Sequence, residues 1–303
     1  MEDRIGFIGL GVMGAPMARN LRKVFRHVCV YDCDEARLCS FSREGYRIAD
    51  SAAGVAAEAD VVVLSLPGSS AVRDVILGRE GLAGTLPAGA VVIDSGTTEP
   101  AVSRCIAEEL AGKGIGFLDA PVSGGEKAAI EGTLSFMVGG DLEIFERCLP
   151  VLRAMGSSVV RIGGSGSGSV AKLVNNLIVG AEFAAIAEGF ALAVRSGLDA
   201  AVLYQAIRSG WAQSKVLDVS AEAFLRRDFR PGGSVDIHWK DLGYALSLAK
   251  DVDVPTPVTA IVHEIFKAAR ASGKGRMAQP AIVMLWEELL NMRVGRQEDE
   301  QNT

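Results

Sequence analysis

Ile5-Gly6-Phe7-Ile8-Gly9-Leu10-Gly11-Val12-Met13-Gly14 decides the fold. The short apolar run Ile5–Ile8 reads as a strand, and the glycines follow it directly and open a helix over Pro16–Val24. In that setting the GxGxxG spacing has a mechanism. Gly9 permits a tight turn, Gly11 lets the backbone approach a pyrophosphate, and Gly14 lets helix and strand pack closely, with the helix N-terminus facing the phosphates. Gly9, Leu10, Gly11, Val12, Met13 and Gly14 are the first candidate cofactor-binding residues. Kinases carry the same spacing, so a second signal is needed. Asp32 supplies it, ending the strand candidate Val28–Tyr31 at 18 residues past Gly14. A carboxylate there accepts hydrogen bonds from the adenosine ribose and repels a 2′-phosphate. An aspartate at a strand end is also an ordinary turn residue; the glycines in register favour the ribose role. No arginine immediately follows Asp32, which favours NAD over NADP.

Working outward, short β-branched runs alternate with helical stretches through the first half of the chain. Strands are expected at Val61–Leu66, Ala90–Asp94, Gly116–Asp119, Ser135–Val138 and Val159–Ile162, and helices at Val72–Leu77, Pro100–Ala111 and Leu142–Met155. Such alternation predicts an α/β fold, a doubly wound, largely parallel Rossmann sheet covered by helices on both faces. Ligands then lie outside the carboxyl ends of the strands. Leu66 and Pro67, Val72 in the helix after them, and Thr97 beyond Asp94 are therefore candidates to line the cofactor. After the glycine- and serine-rich stretch Gly163–Ser169 the strand signal stops. Helices are expected at Val170–Arg195, Ala200–Ile207, Ser214–Leu225, Val235–Lys250, Pro257–Ala271 and Pro280–Leu290. This predicts a dinucleotide-binding domain over 1–164 and an all-α domain over 165–303 that begins with a long helix.

Bulk properties narrow the function. A formal net charge of −6 argues against nucleic acid as the main partner. Five cysteines, with no CxxC pair, suit free thiols in a reducing cytosol. The three histidines lie far apart and form no HExxH pattern, so no metal site is expected. No signal peptide is expected, because the first apolar stretch leads straight into a glycine turn. Lys172, Asn175, Asn176, Glu182 and Glu188 interrupt the long apolar stretch Val170–Val194, which argues against a membrane span.

Three further segments carry candidate chemistry. Ser123-Gly124-Gly125 offers a hydroxyl and unobstructed backbone amides, a nest for a carboxylate, although it also reads as a plain glycine turn. Lys172 and Asn176 are four apart, hence on one helix face. A lysine near a helix start is usually a solvated charge, but this one sits in an apolar helix directly after the glycine turn. Lys240, followed by Asp241, reads equally as half of a surface ion pair, and Trp211 as helix packing.

Four motifs in order give a resemblance to a known family. Gly6–Gly14, Asp119-Ala120-Pro121-Val122-Ser123-Gly124-Gly125, Lys172-Leu173-Val174-Asn175-Asn176 and Lys240-Asp241-Leu242 resemble the β-hydroxyacid dehydrogenases, which include 3-hydroxyisobutyrate dehydrogenase and tartronate semialdehyde reductase. The resemblance implies NAD-dependent interconversion of a small β-hydroxy acid and its semialdehyde. It makes Lys172 the general acid/base, with Asn176 orienting the substrate hydroxyl. Ser123, Gly124 and Gly125 would hold the substrate carboxylate, Lys240 would lie beside nicotinamide and substrate, and Trp211 would stand at a variable position near the pocket. A second ammonium near Lys172 would lower its pKa. The resemblance also implies a homodimer or homotetramer formed through the helical half. The alternatives are a 4-hydroxybutyrate/succinic semialdehyde reductase, an imine reductase (a group that usually lacks the lysine), 6-phosphogluconate dehydrogenase with its larger helical domain, and a catalytically silent NAD-binding interaction module.

Overall fold

Val61, Val62, Val63 and Leu64 are all buried, and alternate side chains serve different layers. Val61 and Val63 pack with Met17 and Leu21 in one apolar core, whereas Val62 and Leu64 pack with Val55, Ile76 and Ile106 in another. A strand covered on both faces needs an unbroken apolar run, and this is why the parallel strands are so plain in the sequence.

The computed structural model describes residues 4–230 and 232–295. Strands β1 (Ile5–Ile8), β2 (Val28–Tyr31), β3 (Arg47–Ile48), β4 (Val61–Leu64), β5 (Val91–Asp94) and β6 (Gly116–Asp119) are parallel, in the order β3-β2-β1-β4-β5-β6. The sheet continues with β7 (Val122–Ser123), β8 (Leu134–Gly140) and β9 (Gly156–Gly163). Strand β8 is antiparallel to β6 and β7 and parallel to β9. The helices of this half are α1 (Gly14–Val24), α2 (Glu35–Arg43), α3 (Ala52–Glu58), α4 (Ser69–Leu77), α5 (Pro100–Ala111), α6 (Gly125–Glu131) and α7 (Leu142–Met155). Helices α1 and α7 line one face of the sheet, and α3, α4 and α5 the other. This is the doubly wound Rossmann architecture.

Register positions the site. Ile8 pairs with Tyr31 and Leu64, Leu64 with Asp94, and Asp94 with Asp119, so these strands end level. The strand order reverses between β1 and β4, and this is the switch point beside which dinucleotides bind.

The remaining elements are helical: α8 (Ser167–Arg195), α9 (Ala200–Ile207), α10 (Lys215–Arg226), α11 (Val235–Asp251), α12 (Pro257–Ala269) and α13 (Val283–Leu290). Phe183, Ala187 and Phe190 of α8 are buried among Leu217 and Phe224 of α10, Leu242 of α11 and Phe266 of α12. Phe190 meets Phe224 edge to face at 5.3 Å. An 18-residue window of α8 reaches a mean hydropathy of 1.9, a membrane-like value, and 39% of it is buried, with Phe183, Ala187 and Phe190 serving a helical core.

The chain separates into two compact units between Lys172 and Leu173, so the first turn of α8 packs with the sheet and the rest with the helices.

Candidate active site

The glycine turn after β1 is built by contact. Gly9 has φ +97°, and a β-carbon there would stand 2.3 Å from the Ser65 carbonyl oxygen. A β-carbon on Gly14 would stand 1.8 Å from the oxygen of Gly9. Both positions need glycine for the turn itself. Gly11 differs: a β-carbon there would meet only an Arg37 guanidinium nitrogen, at 3.8 Å. The protein gives Gly11 no internal reason to lack a side chain, whereas a ligand approaching the backbone does. The residues present therefore fit a dinucleotide pyrophosphate at this turn.

Asp32 follows β2 and is 5% exposed. Its Oδ2 accepts from the Leu10 amide at 2.6 Å and from Arg37 Nη1 at 3.2 Å, and its Oδ1 accepts from the Asp34 amide at 2.8 Å. Burial pushes its pKa up, but the donated hydrogen bonds and the Arg37 charge outweigh that and hold it below the usual carboxylate range. The sequence shows no arginine immediately after Asp32, yet α2 brings Arg37 back onto the carboxylate.

The other level strand ends supply the neighbours of the turn. Leu66 is partly buried beside Gly9, with its Cδ2 3.1 Å from where a β-carbon of Gly9 would stand, and Pro67 is exposed. Asp94 accepts from the Gly96 amide at 2.9 Å and from Thr98 Oγ1 at 2.6 Å, fixing the turn that carries the half-buried Thr97. Val72 is a correction. It is 0% exposed inside the core beneath α4, so its side chain has no surface to offer a cofactor.

Ser123, Gly124 and Gly125 lie at the start of α6, with Gly124 at φ +130° and Gly125 at φ +71°. Ser123 is half-buried, and nothing stands within 4 Å of where a Gly125 side chain would begin. Asp119, at the end of β6 and 0% exposed, accepts from the Gly166 amide and the Ser169 amide, each at 2.8 Å. Two charge-assisted bonds to otherwise unsatisfied amides anchor the start of α8 at the level edge of the sheet. Lys172, half-buried, lies three residues beyond Ser169, less than one helical turn.

In the helical unit, Asn176 is 6% exposed and Asp241 2% exposed. Asn176 Nδ2 donates to Asp241 Oδ2 at 2.6 Å, and its Oδ1 accepts from Asn175 Nδ2 at 2.9 Å. Lys240 Nζ lies 3.2 Å from Asp241 Oδ1. Buried His238 donates from Nε2 to the Asn176 carbonyl at 3.0 Å. Asp241 thus joins two of the expected site residues, Asn176 and Lys240, within one unit. Trp211 stands fully exposed in the turn after α9, so the reading of it as helix packing is corrected.

Two family models cover the chain. Residues 4–164 match the NAD binding domain of 6-phosphogluconate dehydrogenase, and residues 166–286 match the NAD-binding domain of NADP-dependent 3-hydroxyisobutyrate dehydrogenase. The chain is 37% identical to 2-(hydroxymethyl)glutarate dehydrogenase of Eubacterium barkeri over 292 residues, 96% of this chain and 97% of that protein. It is 34% identical to 2-hydroxy-3-oxopropionate reductase of Escherichia coli K12 over 96% of this chain and 99% of that one. The chain belongs to the β-hydroxyacid dehydrogenase family. The crystal structure of a 3-hydroxyisobutyrate dehydrogenase from Salmonella typhimurium has the same fold, with a TM-score of 0.85 at 31% identity over 93% of this chain and 99% of that one.

As a β-hydroxyacid dehydrogenase the chain is an NAD(P)-dependent oxidoreductase with a Rossmann domain and a helical C-terminal domain. Three residues make contacts that spacing does not reveal: in the first unit Arg37 on Asp32 and Asp119 at the start of α8, and in the second Asp241 between Asn176 and Lys240. Only Asp241 had a nearby signal, the lysine beside it.

Proposed function

We propose that this enzyme interconverts a small β-hydroxy acid and its semialdehyde, with NAD as the preferred nucleotide. The observation that supports the reading is the Asp119 clamp. It holds the Gly166 and Ser169 amides, the latter three residues before Lys172, at the end of β6, a strand that ends level with those leading to the glycine turn and Asp32. When bound, the nicotinamide supplies hydride chemistry at the carbon bearing the substrate oxygen. The glycine turn and Asp32 would hold the dinucleotide. Ser123 and the amides of Gly124 and Gly125 would hold the substrate carboxylate. Lys172 takes the hydroxyl proton when the alcohol is oxidised and returns one to the carbonyl oxygen when the aldehyde is reduced. Asn176, fixed by Asp241 and Asn175, keeps one amide hydrogen and one lone pair for the substrate hydroxyl.

The names of the relatives support substrates with a hydroxymethyl or hydroxyl group beside the carboxylate-bearing carbon, such as 3-hydroxyisobutyrate, glycerate and 2-(hydroxymethyl)glutarate. A homo-oligomer belongs to the same reading. Exposed Val174, Ile178 and Leu192 give α8 an apolar side for it, and light scattering measures it. A reducing cytosol suits the five free cysteines.

The test is a panel of 3-hydroxyisobutyrate, glycerate, 2-(hydroxymethyl)glutarate, serine, threonate and 4-hydroxybutyrate, each offered with NAD and with NADP. The expected result is nucleotide reduction by at least one β-hydroxy acid, faster with NAD. Reduction by 4-hydroxybutyrate alone, or by nothing, would overturn the reading.

A further inference from the structure

We propose that Arg37 is the residue that lets this enzyme accept a dinucleotide carrying a 2′-phosphate as well as one without it. The inference rests on the reading that Asp32 faces the adenosine ribose, and it adds a second, cationic determinant at the same place.

An ionised carboxylate offers about four lone-pair sites. Three on Asp32 are taken, by the Leu10 amide, the Asp34 amide and Arg37 Nη1. One remains, so Asp32 cannot grip both ribose hydroxyls while Arg37 stays in place. The two amide donors belong to the backbone turn and are fixed. Arg37 is the donor that can leave, because its side chain is 47% exposed and hangs from the first turn of α2. Its Nε also lies 3.2 Å from Asp34 Oδ2, so the guanidinium keeps a partner when it swings off Asp32.

The same guanidinium stands over the glycine turn, 3.8 Å from where a Gly11 β-carbon would be. It therefore lies between the carboxylate that reads the ribose and the backbone that receives the pyrophosphate. A 2′-phosphate brought to Asp32 alone meets an uncompensated negative charge. Brought to the Asp32–Arg37 pair, it meets a planar cation with donors suited to phosphate geometry. With an unphosphorylated ribose, Arg37 swings aside and Asp32 binds the diol. One mobile cation on a fixed anion thus serves both nucleotides.

The test uses adenosine fragments, which need no hydride acceptor. 5′-AMP and 2′,5′-ADP are titrated calorimetrically into the full chain and into Arg37→Ala. The wild type is expected to bind both, with affinities within about tenfold of one another. Arg37→Ala is expected to lose roughly tenfold or more in affinity for 2′,5′-ADP, the worth of one charge-assisted contact, while 5′-AMP changes less than about threefold. Adding Asp32→Asn to Arg37→Ala is expected to recover part of the loss, because the repelling charge goes with it. Equal losses for the two fragments would mean that Arg37 grips the adenosine generally, and the proposal falls. It falls also if Arg37→Ala changes neither, or if the wild type binds 5′-AMP but not 2′,5′-ADP. A wild type that binds neither fragment overturns the ribose reading of Asp32 itself, a result distinct from the others.

Discussion

Lys172→Ala lowers turnover by roughly 10²–10⁴-fold with the best acid of the panel, the usual worth of a positioned acid/base. Dinucleotide affinity changes little, because the cofactor is gripped mainly at Gly9–Gly14 and Asp32. The two effects separate because Lys172 sits on α8, beyond the Asp119 clamp, and makes no part of the glycine turn. Lys172→Arg fails almost as badly, since a guanidinium does not release a proton near neutrality. A lysine that merely carried a surface charge would leave both variants near the wild-type rate. Turnover and dinucleotide affinity, measured on the same preparations, decide it: a variant that keeps most of its turnover contradicts the acid/base role, and one that loses the dinucleotide contradicts the separation.

Gly11→Val is expected to fold normally and to lose dinucleotide affinity by about 10²-fold or more, as charged hydrogen bonds from the turn are pushed out of reach. The fold has room for the first carbon of the side chain, since only Arg37 Nη1 lies within 4 Å of it, at 3.8 Å, and that guanidinium is the far end of a flexible, exposed side chain. A change of that kind costs within about 0.5 kcal/mol, and the melting temperature should move by roughly 2 °C or less. Gly14→Ala is the contrast. Its β-carbon would overlap the Gly9 oxygen at 1.8 Å, so the turn itself has to shift and stability drops. Thermal melts with dinucleotide titrations on both variants distinguish a ligand cradle from a structural glycine. A Gly11→Val protein that binds as well as the wild type, or one that unfolds, would show that the open space at Gly11 is not the pyrophosphate's.

The long parallel strands were legible because each is buried on both faces and so spelled by a continuous apolar run, as in Val61–Leu64. Strands β3 and β7 were not, since two residues carry no period. The reversal of β8 was hidden too, for an apolar run has no direction. Strand β9 begins directly at the end of α7, three residues before the apolar signal at Val159, and its outer residues are largely exposed. Spacing was enough to bring Asp32 to the glycine turn, where it accepts from the Leu10 amide, because a glycine turn and a strand end are local. It could not give Arg37, whose reach depends on the first turn of α2, or Asp119, whose partners lie 47 and 50 residues away. Val72 misled for the opposite reason. A residue placed near a strand end by sequence can still turn its side chain into the core.

The reaction is tested most directly by following one hydrogen. The best β-hydroxy acid of the panel is prepared with deuterium on the carbon that bears the hydroxyl, and the reduced nucleotide is examined by mass spectrometry and by NMR at nicotinamide C4. Direct transfer predicts one deuterium on C4 of each reduced nucleotide, none exchanged with water, and the same label from every preparation in which Lys172 is intact. Reduced nucleotide without deuterium, or no reduced nucleotide with any acid, would contradict the account.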